Sequence, residues 1–399
     1  MQIKNFLIRE IFDSRAESTI EVGLGHAKLR LFFAQVPSGK SRGRQEAVVF
    51  PFKKIRSVFK NFVLRQLKGK SFERIQDFDR HLARLDPTPR KSKISGNLSI
   101  GLSVAFAKAL AFQKKLAVWE MLRREFFPKN LRKTRPLIFS NLINGGQHTL
   151  NNLAIQEYLV IVKAQKTYAE SFRQLRDFYE DLGEYLKKSR RLERLALGDE
   201  GGYVLDFSNN YEPLKILEKL IFKRRLRKEF SLGLDIAASS FFKNEKYAFE
   251  GKTLKGEQLM RIYLSYFLSL KSLISLEDPF AEKEPVEFYK LREMVPQKWI
   301  VGDDLTVTNP RLVEKYAQEK VINAVIIKPV QNGTVSGTCQ AIQTARNQKL
   351  KTIVSHRSGE TEDVFILHLA KACSADGVKI GAPCRERIYK FNELVRLYD

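Results

Sequence analysis

The chain has 399 residues, 43% of them hydrophobic, enough to bury a large core in two domains or in a barrel with a smaller partner. No apolar run reaches the roughly 18 to 20 residues of a membrane span, and the N-terminus alternates charged and apolar residues, so a soluble, cytoplasmic protein is expected. The three cysteines, Cys339, Cys373 and Cys384, are odd in number and lack metal-ligand spacing, which argues against a disulfide framework and against zinc.

The net charge of +25 is unevenly spread. Residues 1–133 carry 29 basic and 11 acidic side chains, and residues 134–399 carry 41 and 34. Such a front third would attract polyanions, RNA or an acidic membrane surface. No RRM, KH or zinc-knuckle pattern accompanies it, so a solvated basic surface is the plainer reading.

In chain order, residues 3–36 read as strands, with alternation at Ile20, Val22, Leu24 and then Leu29, Leu31, Phe33, closed by the turn Pro37-Ser38-Gly39. Residues 53–84 and 98–126 carry apolar side chains at three- and four-residue intervals and read as helices. The opening third is thus an α+β unit, residues 1–133, ending at a basic linker around Phe127-Pro128 and Arg132 to Pro136. In residues 134–399, short apolar runs end one after another in Asp235, Glu277, Asp303, Lys328 and His356, at separations of 42, 26, 25 and 28 residues, with helical patterns at 310–319, 334–347 and 361–373 between them. Strand plus helix at that period is the unit of a (β/α)8 barrel, whose active-site groups sit at the C-terminal ends of the strands. Any one of these residues alone reads as a cap or turn residue. Five in register predict convergence on one mouth.

Asp235, Glu277 and Asp303 offer three carboxylates from successive strands, the hard-oxygen setting that Mg2+ prefers, and burying them without a cation would be costly. Lys328 from the next strand is either a general base with a lowered pKa or the carboxylates' salt-bridge partner. His356, Arg357 and Ser358, with Lys379 from the strand-like Gly377-Val378-Lys379, suit an anionic group, so a phosphorylated carboxylic acid is a sensible substrate. Glu200, in Gly198-Asp199-Glu200-Gly201-Gly202, is an acid able to protonate a leaving hydroxyl on the far side.

At this point the residues resemble the enolase family over essentially the whole chain. The similar segments include Arg9 to Arg15, Val36 to Gly43, Lys91-Ser92-Lys93, Asn144-Gly145-Gly146-Gln147-His148, Gln156-Glu157, Gly198 to Gly202, Gly233-Leu234-Asp235, Glu277-Asp278-Pro279, Gly302 to Leu305, Ile327-Lys328, Ser355 to Asp363 and Lys379 to Arg385. The resemblance implies an N-terminal α+β capping domain and a C-terminal TIM-like barrel whose first two strands and helices break the simple alternation. It implies a magnesium-dependent lyase that reversibly dehydrates 2-phosphoglycerate to phosphoenolpyruvate in glycolysis and gluconeogenesis, acting as a homodimer. Asp235, Glu277 and Asp303 would hold the first of two Mg2+, and Ser41, on a mobile loop, would help bring in the second with substrate. Lys328 would remove the C2 proton, and Glu200, with Glu157 beside it, would protonate the departing C3 hydroxyl. Gln156, Arg357, Ser358 and Lys379 would bind the substrate's charged groups, and His148 would close over them.

The chain departs from the family's usual residues at Ala16-Glu17-Ser18, Arg42, Ser240, Pro329-Val330 and Ile380, none of them an implied catalytic group. Two other readings stand beside the first. One is a relative acting on an unphosphorylated acid, against which Glu200, Glu157 and Arg357-Ser358 speak. The other is a weakly active paralogue that binds RNA or an acidic surface through its basic front domain.

Overall fold

The computed structural model describes residues 1–27, 30–40, 43–128 and 135–399. It opens on an antiparallel sheet of β1 (Asn5–Phe12), β2 (Ser18–Ala27) and β3 (Arg30–Val36) in the order β1-β2-β3. The predicted alternation is what buries this sheet: Ile20, Val22 and Leu24 face the core, and the long helix α4 (Gly96–Gln113) packs across them. α4 is apolar around most of its circumference and is buried accordingly, from Gly96 through Ala107.

The single helical stretch expected over 53–84 is divided. α1 (Phe52–Val58), a five-residue π turn (Phe59–Val63) and α2 (Leu64–Leu67) form one rod, which ends where Lys68 turns extended and Gly69 takes a φ of 80°. α3 (Ile75–Leu85) follows. The 98–126 stretch also breaks, between α4 and α5 (Val118–Phe126), where Lys115 adopts a φ of 54°. The linker and the domain boundary expected near residue 133 fall on residues 129–134, outside the described residues.

The rest closes into a barrel. Its strands are β4 (Leu137–Asn144), β5 (Glu157–Val162), β6 (Phe230–Asp235), β7 (Leu273–Glu277), β8 (Trp299–Gly302), β9 (Ala324–Ile327), β10 (Lys351–Ser355) and β11 (Gly377–Ile380). β11 pairs with β4 to close the ring, and a short hairpin, Ala196–Leu197 with Tyr203–Val204, extends from β4. β5 runs antiparallel to both neighbours, while every other pairing in the ring is parallel. The cause is in the connections: β4 reaches β5 through a loop with no α-helix, only the 3-10 turn Gly146–His148, so the chain returns in the opposite direction.

Helices α6 (Tyr168–Arg190), α7 (Glu212–Lys223), α8 (Gly256–Ser269), α9 (Pro285–Met294), α10 (Pro310–Gln318), α11 (Pro329–Asn332), α12 (Val335–Asn347), α13 (Phe365–Cys373) and α14 (Ile388–Tyr398) surround the ring. α13 begins four residues later than the sequence pattern suggests, and the Asp363 carboxylate just before it accepts from the Phe365 amide at 2.9 Å. Inside the ring Phe139, Leu159, Ile161, Val301, Ala324, Ile326 and Ile353 form a separate apolar plug, so the barrel floor is packed and chemistry is confined to its mouth. Among the described residues no helix is long and apolar enough to cross a membrane.

Candidate active site

Strand register does most of the positioning. Glu157 stands opposite Asp235 across the β5–β6 pair, and Asp235 opposite Glu277 across β6–β7, so three carboxylates lie side by side at one rim. Opposite them in the ring, Lys379 on β11 pairs with Ser355 on β10. Its Nζ crosses the mouth and lies 2.8 Å from Asp235, 2.8 Å from Glu277 and 3.1 Å from Glu157. Asp303 and Lys328, each the first residue past its strand, meet in a second ion pair.

These groups are buried: Glu157 and Glu277 are each 2% exposed. Burial and the neighbouring Asp235 charge push Glu277 well above the ordinary carboxylate range. Asp304 is pushed up to about 7 by burial and by Asp303. The same crowding suits a hard dication: the donors are oxygens only, they come from successive strand ends, and buried Gln156 Oε1 beside them has no hydrogen-bond partner among the described residues. The tightest acidic trio is Asp278, Asp303 and Asp304, with ligand atoms within 4.8 Å of one another. Asp278 also spans the two amides of Asp303 (2.9 Å) and Asp304 (2.7 Å), which fixes the turn that presents Asp303.

Burial lowers Lys328, but the carboxylates around it, Asp303 first and Glu277 with it, tip the balance upward. That is opposite to the lowered pKa expected of a base, and the cause is the ion pair that the sequence offered as the other role for this lysine.

On the far side of the mouth Glu200 sits between two histidines, with His148 Nδ1 at 3.9 Å and His356 Nε2 at 3.5 Å. Asn141 Nδ2 donates to Glu200 at 3.0 Å. Burial holds His356 down at about 4 and lowers His148 too, so both rings are neutral at physiological pH. Glu157, whose ligand atom lies within 4.8 Å of those of Glu200 and His148, is raised by burial and by the Glu200 charge. Glu200 itself is held down, so of the two glutamates Glu157 binds a proton more readily.

Arg357 and Ser358 complete the ring from the loop after β10. Arg357 makes a two-pronged contact with Glu46, at 3.1 and 3.2 Å. Ser358 Oγ accepts from the Lys40 amide at 3.0 Å. The capping domain thus closes the mouth: Ser38 pairs with Gly359, and a Cβ on Gly39 would lie 1.7 Å from the Arg357 guanidinium. The space enclosed by Gly39, His148, Gln156, Glu157, Glu200, Asp235, Lys328, His356, Arg357, Ser358 and Lys379 is about 20 Å3, room for one water. A larger ligand does not fit this space with the Pro37–Lys40 segment held against Arg357. A cavity of about 1460 Å3, lined by Gly39, Lys40, Arg44, Gln147, Ser240 and Asp304 among others, adjoins it on the solvent side.

Apart from Ser41, which lies outside the described residues as Arg42 does, the residues singled out in the sequence surround this one mouth. Reading the sequence missed Glu46, Gln331 and the role of Asp278. Gln331 donates to Asp303 Oδ1 (3.0 Å) and Glu46 Oε1 (3.1 Å), linking the two domains under the site. Asp278 and Asp304 stand inside motifs already picked out, but Gln331 lies outside all of them, three residues past Lys328, and carried no signal.

Residues 3–122 match the family description "Enolase, N-terminal domain" and residues 132–399 match "Enolase, C-terminal TIM barrel domain". The chain is 33% identical to the enolase of Elusimicrobium minutum, with 99% of this chain and 95% of that protein covered. It is 35% identical to enolase 2 of Lactobacillus johnsonii (97% and 92% covered) and 35% identical to the enolase of Ehrlichia canis (98% and 95%). With both domains matched, relatives covered nearly end to end and a barrel whose second strand runs against its neighbours, the chain belongs to the enolase family.

Proposed function

We propose that this protein is a cytoplasmic, Mg2+-dependent hydro-lyase that interconverts 2-phosphoglycerate and phosphoenolpyruvate, the enolase step of glycolysis and gluconeogenesis, and that it works as a homodimer. The observation that carries this reading is the division of one small mouth into two proton-handling sides, Lys328 with Asp303 on one and Glu200 with Glu157 on the other.

Asp235, Glu277 and Asp303 are the residues to hold the first Mg2+, and Ser41 the second as substrate arrives. Bound there, the dications would supply positive charge that stabilises the negative charge developing when the C2 proton leaves. Arg357, Ser358 and Lys379 bind the anionic ends of the substrate, Gln156 orients it, and His148 and His356, both neutral, offer hydrogen bonds without adding charge. Lys328 takes the C2 proton on its Nζ. Were Asp303 engaged with a cation, it would pull less on Lys328, and burial together with the Arg357 and Lys379 charges would favour the neutral amine that a base needs. The proton resting on the Glu157–Glu200 pair is delivered through Glu200 to the C3 hydroxyl, which departs as water. The cations Arg357 and Lys379, with Ser358, suit a phosphorylated acid better than an unphosphorylated one, which disfavours a racemase or sugar-acid dehydratase.

Absorbance at the enolpyruvate band tests this: purified protein with 2-phosphoglycerate and Mg2+ is expected to give a rise that EDTA abolishes. No rise at any Mg2+ concentration, or an equal reaction with the unphosphorylated acid, contradicts it.

A further inference from the structure

Between Glu46 and Glu73 the chain has no acidic residue and seven basic ones: Lys53, Lys54, Arg56, Lys60, Arg65, Lys68 and Lys70. The rod formed by α1, the π turn and α2 explains their arrangement. Ile55, Phe59, Val63 and Leu67, at four-residue spacing, are buried against the core, and the cations are left on the exposed side. Among the described residues none of the seven has a carboxylate within ion-pair distance, whereas exposed cations on the barrel such as Arg176, Arg190, Arg224 and Lys290 do. Lys93, from the loop before α4, joins the patch with its Nζ 4.7 Å from the Phe62 ring.

We propose that this face binds the phosphodiester backbone of a nucleic acid without reading its sequence. The charge alone would admit an anionic bilayer or an acidic protein, but both also need apolar anchors, an inserted side chain in one case and a desolvated aromatic centre in the other. The exposed large hydrophobic side chains of the described residues, Leu7, Phe12 and Phe112 among them, include none from residues 47–72. A phosphate backbone needs only spaced cations, and from Lys53 to Lys68 the rod sets them along about 20 Å. The proposal is independent of the dehydratase reading and touches none of its residues.

The test uses the full chain and a fluorescent oligouridine of about 20 nucleotides, titrated by anisotropy from about 50 to 200 mM salt. Binding is expected to weaken steeply with salt. Lys53→Glu/Arg56→Glu/Lys60→Glu, checked for an unchanged circular dichroism spectrum, is expected to bind at least tenfold more weakly, with the log–log salt slope reduced by about 3. The charge-matched control Arg311→Glu/Lys315→Glu/Lys320→Glu, on exposed positions of and just after α10, is expected to stay within twofold of the parent. No binding at the lowest salt, an equal loss in both triple variants, or binding to phosphatidylserine vesicles in preference to the oligonucleotide overturns the proposal.

Discussion

Lys379 is the residue on which the electrostatics of the mouth turns. Three carboxylates within 3.1 Å of its Nζ share that one ammonium, and all are buried. Replacing it in Lys379→Met leaves buried charge uncompensated, with an expected loss of about 3 to 5 kcal/mol in urea unfolding, part of which added Mg2+ restores. A variant as stable as its parent would mean the carboxylates are already protonated. Ala16 sits at the opposite end of the scale. It holds a φ of 60° in the turn between β1 and β2, where the family usually has glycine. Ala16→Gly is therefore expected to stabilise the protein by about 1 kcal/mol, read as a higher denaturation midpoint; no gain would mean that the turn carries no strain.

At the level of elements, the strand ends were the legible part. Asp235 and Glu277 close their strands, and Asp303, Lys328 and His356 come one residue after theirs, as the apolar runs indicated, because a buried parallel strand must be apolar until it emerges. Helix limits were less legible. The rod at 52–67 and α3 share one apolar period, and the non-helical stretch 68–74, opened by the turn at Lys68-Gly69, separates them. Contacts that join distant segments, such as Glu46 with Arg357 and Gln331 with Asp303, have no local signature at all. Departures from the usual family residues find local explanations: Pro329 occupies the first position of α11, where a missing N–H costs nothing, and Ile380 is buried at the end of β11. The change at Ser240, on the rim of the outer cavity, has no explanation in the structure.

Across the whole molecule the two domains are joined by buried polar contacts whose protonation matters. Asp79 on α3 accepts from the Ser336 amide at the start of α12 at 2.7 Å, and burial pushes its pKa up to about 6 from 3.8. A carboxyl raised in the folded state binds its proton more tightly there than in the unfolded chain, so its contribution to stability is complete below about pH 4 and is lost as pH rises through about 6, on the order of 3 kcal/mol in all. Asp79→Asn is expected to remove that dependence. Its unfolding free energy should fall relative to the parent's as pH falls from 7 to about 4, and a difference independent of pH would contradict the assignment. The assembly of capping domain and barrel also brings Lys328 and Glu200 to one closed mouth, and isotope exchange tests the base and acid roles proposed for them. With 2-phosphoglycerate and Mg2+ in D2O, Glu200→Gln is expected to exchange the C2 hydrogen while forming no phosphoenolpyruvate, and Lys328→Ala to do neither. Continued C2 exchange in Lys328→Ala would contradict the assignment of this lysine as the base.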